Sequence, residues 1–119
     1  MSLLGLDIGT TGTKACIFDA EGRLVAGAYR EYALQHPRPG WIELDPSEVW
    51  AGVQGAVSEA AREASADPVQ AMAVSVLGEA AVPVDKAGRP LDNSILGFDN
   101  RAAEMFQRWL KEVDAAEIM

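Results

Sequence analysis

The apolar positions of this chain fall first into short bursts separated by glycine- and proline-bearing gaps, and later into helical spacing. Leu3 to Ile8 is an apolar run with one aspartate inside it, and it stops at Gly9-Thr10-Thr11-Gly12, a turn signal. Thr13 to Asp19 is a second β-rich run, Glu21-Gly22-Arg23 a second turn, and Leu24 to Leu34 a third run. Three strands joined by tight turns predict an antiparallel meander. Gln35 to Gly40 holds two prolines and a glycine and reads as loop.

Asp45-Pro46-Ser47-Glu48 has the order of a helix start: a capping carboxylate, proline at the first helical position, and glutamate three residues after the cap. Val49, Trp50, Val53, Ala56, Val57, Ala60 and Ala61 continue at helical spacing and predict a helix to about Ser65. Val69 to Val76 reads as a strand and Ala80 to Val84 as another, turned by Lys86-Ala87-Gly88-Arg89, and Leu91 to Phe98 contains an extended segment. Ala102 to Val113 predicts a second helix with Phe106, Trp109, Leu110 and Val113 on one face, and Asp114 to Met119 resemble the start of a third. Strands, then a crossover helix to a further strand, predict an α/β fold with a mixed sheet and helices.

Composition leaves this picture intact. The chain has 119 residues, 49% hydrophobic and 24% charged, which fits one globular domain or part of one. Ten basic against 18 acidic residues give a net charge of -8, which offers no attraction to nucleic acid or to an anionic membrane. An anionic ligand therefore needs local help from backbone amides, a metal or a lysine. The lone cysteine, Cys16, excludes an internal disulfide and, within Ala15-Cys16-Ile17-Phe18, reads as a buried, inert thiol. The first residues lack the basic and long apolar regions of a signal peptide, and no stretch approaches the roughly 20 apolar residues of a membrane span. The reading is a cytoplasmic protein.

Candidate chemistry concentrates in Leu6-Asp7-Ile8-Gly9-Thr10-Thr11-Gly12-Thr13-Lys14. Asp7 ends a strand expected to be buried, where an unpaired carboxylate is costly. The small residues of the turn let backbone N–H groups converge on an anion. Thr10, Thr11 and Thr13 add hydroxyl donors, and Lys14 adds a positive charge. Asp7 repels phosphate directly, so it acts through Mg²⁺ or its water shell. These parts make a phosphate cradle with a metal anchor, as phosphoryl transfer requires. Gly5, Gly9 and Gly12 do not give G-x-G-x-x-G, and Gly12-Thr13-Lys14 is not G-K-[ST], so neither the dinucleotide fingerprint nor the P-loop applies. The plain alternative is a hairpin with a solvated aspartate.

Leu6 to Lys14 resembles the first phosphate segment of the actin, hexokinase and heat-shock chaperone superfamily. More narrowly, the chain resembles the FGGY carbohydrate kinases, such as xylulokinase, gluconokinase and glycerol kinase. That match rests on Gly40-Trp41-Ile42-Glu43-Leu44-Asp45-Pro46 before Glu48-Val49-Trp50. It rests also on Val84-Asp85-Lys86-Ala87-Gly88-Arg89-Pro90-Leu91 followed by Asp99-Asn100-Arg101. The resemblance covers essentially the whole chain in family order.

The resemblance implies a ribonuclease H-like α/β fold, here an incomplete first lobe spanning residues 1–119, with the remainder of the enzyme absent. It implies ATP- and Mg²⁺-dependent phosphorylation of a small-molecule sugar or polyol. Asp7 would organise Mg²⁺. Gly9, Thr10, Thr11, Gly12, Thr13 and Lys14 would hold the ATP phosphates. Gly78, Glu79, Asp99 and Arg101 would stand beside the sugar. Gly97 occupies a place where several members carry a tryptophan, and Gly78 a place where glycerol kinases carry an arginine; a pentulose or other polyol is thereby favoured over glycerol. Members of the family are several-fold longer, and the catalytic base is expected beyond residue 119, so no catalytic residue is assigned and the chain alone is expected to be inactive. An incomplete lobe would expose sheet edges and apolar surface, a route to a homodimer.

Plainer readings stand beside these. Glu79 reads equally as a strand-end charge, and Asp99 with Arg101 as a cap and a surface ion pair. Trp41 and Trp50 read as packing residues, His36 as an exposed loop residue without a metal-ligand companion, and Glu112, Asp114 and Glu117 as a solvated face. A nucleotide-driven switch of the chaperone or actin type, and a purely structural or interaction fragment, are the rival functions.

Overall fold

The computed structural model describes residues 1–113; the predicted helix start at 114–119 lies outside the described residues. The first three runs form the expected meander. β1 (Ser2–Ile8) pairs antiparallel with β2 (Gly12–Phe18), and β2 with β3 (Leu24–Glu31). β4 (Glu43–Leu44) follows the proline-rich loop and leads into α1 (Pro46–Glu63). The helix returns the chain to β5 (Val69–Val76), which lies parallel to β1, so the main sheet has the order β3-β2-β1-β5. A second, three-stranded sheet sets β7 (Ser94–Leu96) between β4 and β6 (Ala80–Ala81). α2 (Ala103–Glu112) ends the described chain.

Strand alternation decides which face is covered. Leu4 and Leu6, Ala15 and Ile17, and Ala26 and Ala28 point to one side and are buried against Val53, Ala56, Ala60 and Ala64. α1 presents small residues where it crosses the sheet: a β-carbon on Gly52 would stand 3.1 Å from the Tyr32 ring, and one on Gly55 3.2 Å from Arg30 Nε. The helix starts where its sequence says. Asp45 Oδ1 accepts the Ser47 N–H at 2.7 Å, and Pro46 takes the first position. The reciprocal bond from Glu48 to the Asp45 N–H does not form among the described residues.

The opposite face of the sheet is open. Asp7 and Lys14 are exposed there and Cys16 is half-buried, so the expectations of a buried Asp7 and a buried thiol both fail. Their positions alternate with the core residues, and no helix among the described residues covers them. β5 is exposed along its whole length. α1 covers β2 and β3 and stops short of this edge, which leaves Met72, Val74 and Val76 uncovered.

A second apolar cluster joins the two sheets: Tyr32, Leu44 and Leu96, flanked by Leu34, Ile42, Val49 and Leu77. Several elements differ from expectation at this junction. β3 stops at Glu31, three residues short of Leu34, because Tyr32 and Leu34 turn into this cluster. The two-residue strand Glu43–Leu44 was not anticipated, and the run read as Ala80 to Val84 pairs only through Ala81, with Val84 bridging Pro90 beyond a turn. Trp50 is 61% exposed, because it sits on the flank of α1 beyond the covered strands. Phe106, Trp109 and Leu110 share α2 as predicted but remain uncovered among the described residues.

Candidate functional site

The turn between β1 and β2 is held from below. The Gly9 N–H donates to the Gly12 carbonyl at 3.0 Å, closing a loop whose outer residues are Thr10, half-buried, and Thr11, exposed. No non-glycine residue in the described chain has positive φ, so the threonines sit without backbone strain. Gly12 is needed for space: a β-carbon there would lie 2.6 Å from the Arg30 carbonyl oxygen and against the Tyr29 hydroxyl. Tyr29 donates its O–H to the Thr11 carbonyl at 3.2 Å, and the Tyr32 N–H reaches the same carbonyl at 3.2 Å.

Tyr32 is the residue that sequence reasoning missed. It is 7% exposed, and its hydroxyl donates to the Gly9 carbonyl at 2.7 Å. Thr13 Oγ1 lies 3.2 Å from the same hydroxyl. A phenol has one hydrogen. Because that hydrogen goes to Gly9, Thr13 donates to Tyr32. Thr13 is fully buried, so its hydroxyl is spent inside the fold and does not face a ligand as expected. The strand parity of Thr13, Ala15 and Ile17 was the available signal. Among the described residues the N–H groups of Thr10 and Thr11 have no protein partner.

Asp7 and Lys14 are directly opposed across the β1–β2 ladder. Opposed residues in an antiparallel pair share a face, with β-carbons about 5 Å apart. A carboxylate and an ammonium therefore flank the approach to the turn on the open side of the sheet, beside a shallow depression lined by Gly5, Cys16, Ala73 and Ser75.

The parallel pairing of β1 and β5 brings the second candidate region alongside. Asp7 is in register with Ser75 and Ile8 with Val76. Gly9–Gly12 and Leu77–Glu79 therefore leave the sheet at the same end, on neighbouring strands about 4.8 Å apart. Glu79 leans over Gly97: a β-carbon on Gly97 would stand 3.1 Å from Glu79 Cβ and 2.6 Å from Oε2. Gly78 has open space around it. Leu77, Gly78, Glu79, Leu96, Gly97 and Phe98 line one exposed concavity of about 480 Å³.

Asp99 and Arg101 do not line that concavity and bond chiefly to each other and to the backbone. Asp99 Oδ1 accepts the Arg101 N–H and Nε at 2.8 Å, and Oδ2 accepts the Ile42 N–H at 2.6 Å and Arg101 Nη2 at 2.8 Å. Arg101 Nη2 also donates to Glu43 Oε1 at 2.6 Å, and its guanidinium lies 3.9 Å from the centroid of the Trp41 ring. Arg38 covers the same ring at 4.7 Å. The Arg101 hydrogen bonds, against some desolvation, hold the Asp99 carboxyl well below the usual carboxylate range, and the Asp99 carboxylate raises Arg101 in turn. The pair is a clasp that fixes the Gly97–Phe98 turn to Ile42, since the Asp99 N–H also closes on the Leu96 carbonyl at 3.0 Å. His36 is exposed, and Trp41 is half-buried between its two arginines.

The mixed β3-β2-β1-β5 sheet with its crossover helix belongs to the actin-like ATPase fold class, which the sugar kinases below share. The chain belongs to the FGGY family of carbohydrate kinases: residues 2–119 match its N-terminal domain. The glycerol kinase of Thermococcus onnurineus is 38% identical over 112 residues, 92% of this chain and 23% of that protein. The glycerol kinase of Acaryochloris marina is 38% identical over 85% of this chain and 21% of that protein. Among solved structures, the xylulose kinase of Rhodospirillum rubrum superposes with a TM-score of 0.90 at 32% identity, over 98% of this chain and 24% of that one. The gluconate kinase of Lactobacillus acidophilus gives 0.85 at 27% identity, over 93% and 22%. The chain thus spans about a quarter of the length of the relatives it matches. No helix of the described residues is long and apolar enough to cross a membrane.

Proposed function

We propose that this chain forms the amino-terminal part of the first domain of an ATP- and Mg²⁺-dependent kinase acting on a sugar or polyol hydroxyl in the cytoplasm. One observation carries the reading: the Gly9–Gly12 turn and the Gly78–Glu79 segment leave the parallel pair β1 and β5 at the same end. In open α/β sheets, ligands gather outside the carboxyl ends of parallel strands. A phosphoryl donor at the turn and an acceptor hydroxyl near Glu79 would then be neighbours.

The residues have definite tasks on this reading. The Thr10 and Thr11 amides and the Thr10 and Thr11 hydroxyls bind phosphate oxygens, and Lys14 offsets their charge. Asp7 stands alone, since no group of three metal-ligating side chains occurs among the described residues. It fits a Mg²⁺ ion that takes its remaining oxygens from water and phosphate. Mg²⁺ would neutralise charge on the transferring group. Glu79 accepts from acceptor hydroxyls. Glycines at 78 and 97 leave that carboxylate unobstructed, which supports a pentulose such as xylulose over glycerol. Asp99 and Arg101 serve the sugar side by holding the Gly97 turn. The general base lies outside these residues, so the chain alone transfers no phosphate. The free edge of β5 supports self-association of the isolated chain; sedimentation showing a monomer at high concentration would count against it.

A phosphotransfer assay with ATP, Mg²⁺ and a panel of pentuloses, hexoses and polyols tests the proposal. The chain alone gives no turnover, while a polypeptide continuing past Met119 phosphorylates xylulose in preference to glycerol. Turnover by the 119 residues alone, or a glycerol preference in the longer polypeptide, overturns the corresponding part.

A further inference from the structure

We infer that Tyr32 is the positioning residue of the Gly9–Gly12 turn: it sets which way the turn's amides face, and so its affinity for a nucleotide phosphate. The inference rests on the proposed kinase reading for the identity of the ligand, but its geometry is independent of that reading. A trans peptide is planar, with its C=O and N–H pointing in opposite directions. All peptides described in this chain are trans. Fixing a carbonyl therefore fixes the next residue's N–H. The Tyr32 hydroxyl holds the Gly9 carbonyl, which turns the Thr10 N–H away from the protein. The Tyr32 N–H holds the Thr11 carbonyl, which directs the Gly12 N–H away from β3. One residue thus orients two of the turn's peptide planes.

Tyr32 is itself held on several sides. Its hydroxyl accepts from Thr13, its ring packs with Leu44 and Leu96, and Gly52 of α1 lies against its edge. The same cluster includes Leu77, which precedes Gly78 and Glu79. Tyr29 also reaches the Thr11 carbonyl, but it is 47% exposed and duplicates a bond that the Tyr32 backbone already makes. Among the described residues only the Tyr32 hydroxyl reaches the Gly9 carbonyl.

Tyr32→Phe removes the hydroxyl and leaves the ring in its cluster. Thr13→Val removes the donor behind it, and Thr13→Ser restores that donor. Amide exchange and nitrogen relaxation at residues 9–13 are read by NMR on the free chain, followed by titration with Mg·ADP. In Tyr32→Phe, nitrogen relaxation shows a more mobile Thr10 amide, while the Gly12 amide, set by the Tyr32 backbone, keeps its wild-type behaviour, and Mg·ADP binds more weakly by roughly tenfold, the size expected for one buried hydrogen bond. Exchange in the β2–β3 ladder stays unchanged. Thr13→Val shows the same pattern in weaker form, Thr13→Ser recovers wild-type behaviour, and Tyr32→Phe with Thr13→Val adds nothing to Tyr32→Phe alone. Unchanged Thr10 relaxation and unchanged affinity in Tyr32→Phe, or an equal effect from Tyr29→Phe, overturns the inference. Failure of the wild-type chain to bind Mg·ADP counts against the nucleotide reading, and the relaxation measurement then decides the orienting role by itself.

Discussion

Replacing Gly12 with alanine tests whether the space behind the turn is as tight as the geometry says. The new β-carbon would lie 2.6 Å from the Arg30 carbonyl oxygen. That is about 0.7 Å short of an ordinary carbon–oxygen contact of about 3.3 Å. Tyr29, the other group in the way, is an exposed side chain and can swing aside at the loss of one hydrogen bond, about 1 kcal/mol. The Arg30 carbonyl cannot. It belongs to β3, its register is fixed by the Thr13–Arg30 pair, and Gly55 of α1 rests on the Arg30 side chain. Forcing a methyl into such a place costs about 1–3 kcal/mol. For a chain of this size each kcal/mol lowers the melting temperature by about 4 °C. Thermal melts and urea midpoints of Gly12→Ala are therefore expected to fall clearly below wild type. Gly78→Ala, where the new carbon meets nothing within 4 Å, is expected to lie within about 0.5 kcal/mol of wild type. Adding Tyr29→Ala to Gly12→Ala leaves the defect in place. If that second change restores wild-type stability, the phenol and not the β3 backbone is the obstacle, and the argument for a rigid wall behind the turn fails.

Other predictions address the scaffold. Ile17→Ala, at a fully buried position beneath α1, loses about 2–5 kcal/mol in chemical denaturation. Asp45→Ala removes the acceptor for the Ser47 N–H and lowers stability by about 1 kcal/mol, with a matching loss of helical circular dichroism near the melting point. The Asp99 carboxyl is held below its ordinary value first by the Arg101 side chain, so it contributes stability above an unfolded pKa of about 3.9 and loses it as pH falls below that. Melts between about pH 6 and pH 2 are expected to drop through this range, and Arg101→Met flattens the drop; an equal acid slope in the mutant contradicts the clasp.

Much of the main sheet was legible because its signals are local. Short apolar and β-rich runs marked β1, β2 and β3, glycines marked the turns, and Asp45-Pro46 marked the start of α1 to the residue. What escaped depends on partners distant in sequence. Glu43–Leu44 is a strand only because Ile95 and Ser94 come to pair with it. Tyr32 stood at the end of a run with nothing to mark it, since its meaning comes from reaching Gly9 and Thr13 across the hairpin. The candidate site shows the same division. Asp7 and Lys14 were marked by residue type and position around the turn, whereas their direct opposition on one face came only from the pairing register. The spacing of Asp99 and Arg101 allowed contact but did not say that Ile42 would bond Asp99 Oδ2 or that Glu43 would accept from Arg101 Nη2. Trp50 fits helical spacing as well as Val53 does; only the limited width of the sheet under α1 separates them.

The place of β1 in the sheet carries a consequence for the order of assembly. Its antiparallel partner starts at Gly12, directly after the turn, whereas its parallel partner starts only at Val69. Closing the long segment costs more entropy than closing the hairpin, and parallel pairing across a crossover is slow for that reason. The meander and α1 can associate first, and β5 is expected to join a half-built sheet. The Gly9–Gly12 turn can thus form before the segment bearing Glu79 is placed beside it. A chain emerging from synthesis or recovering from heat would pass through a state that has the one without the other.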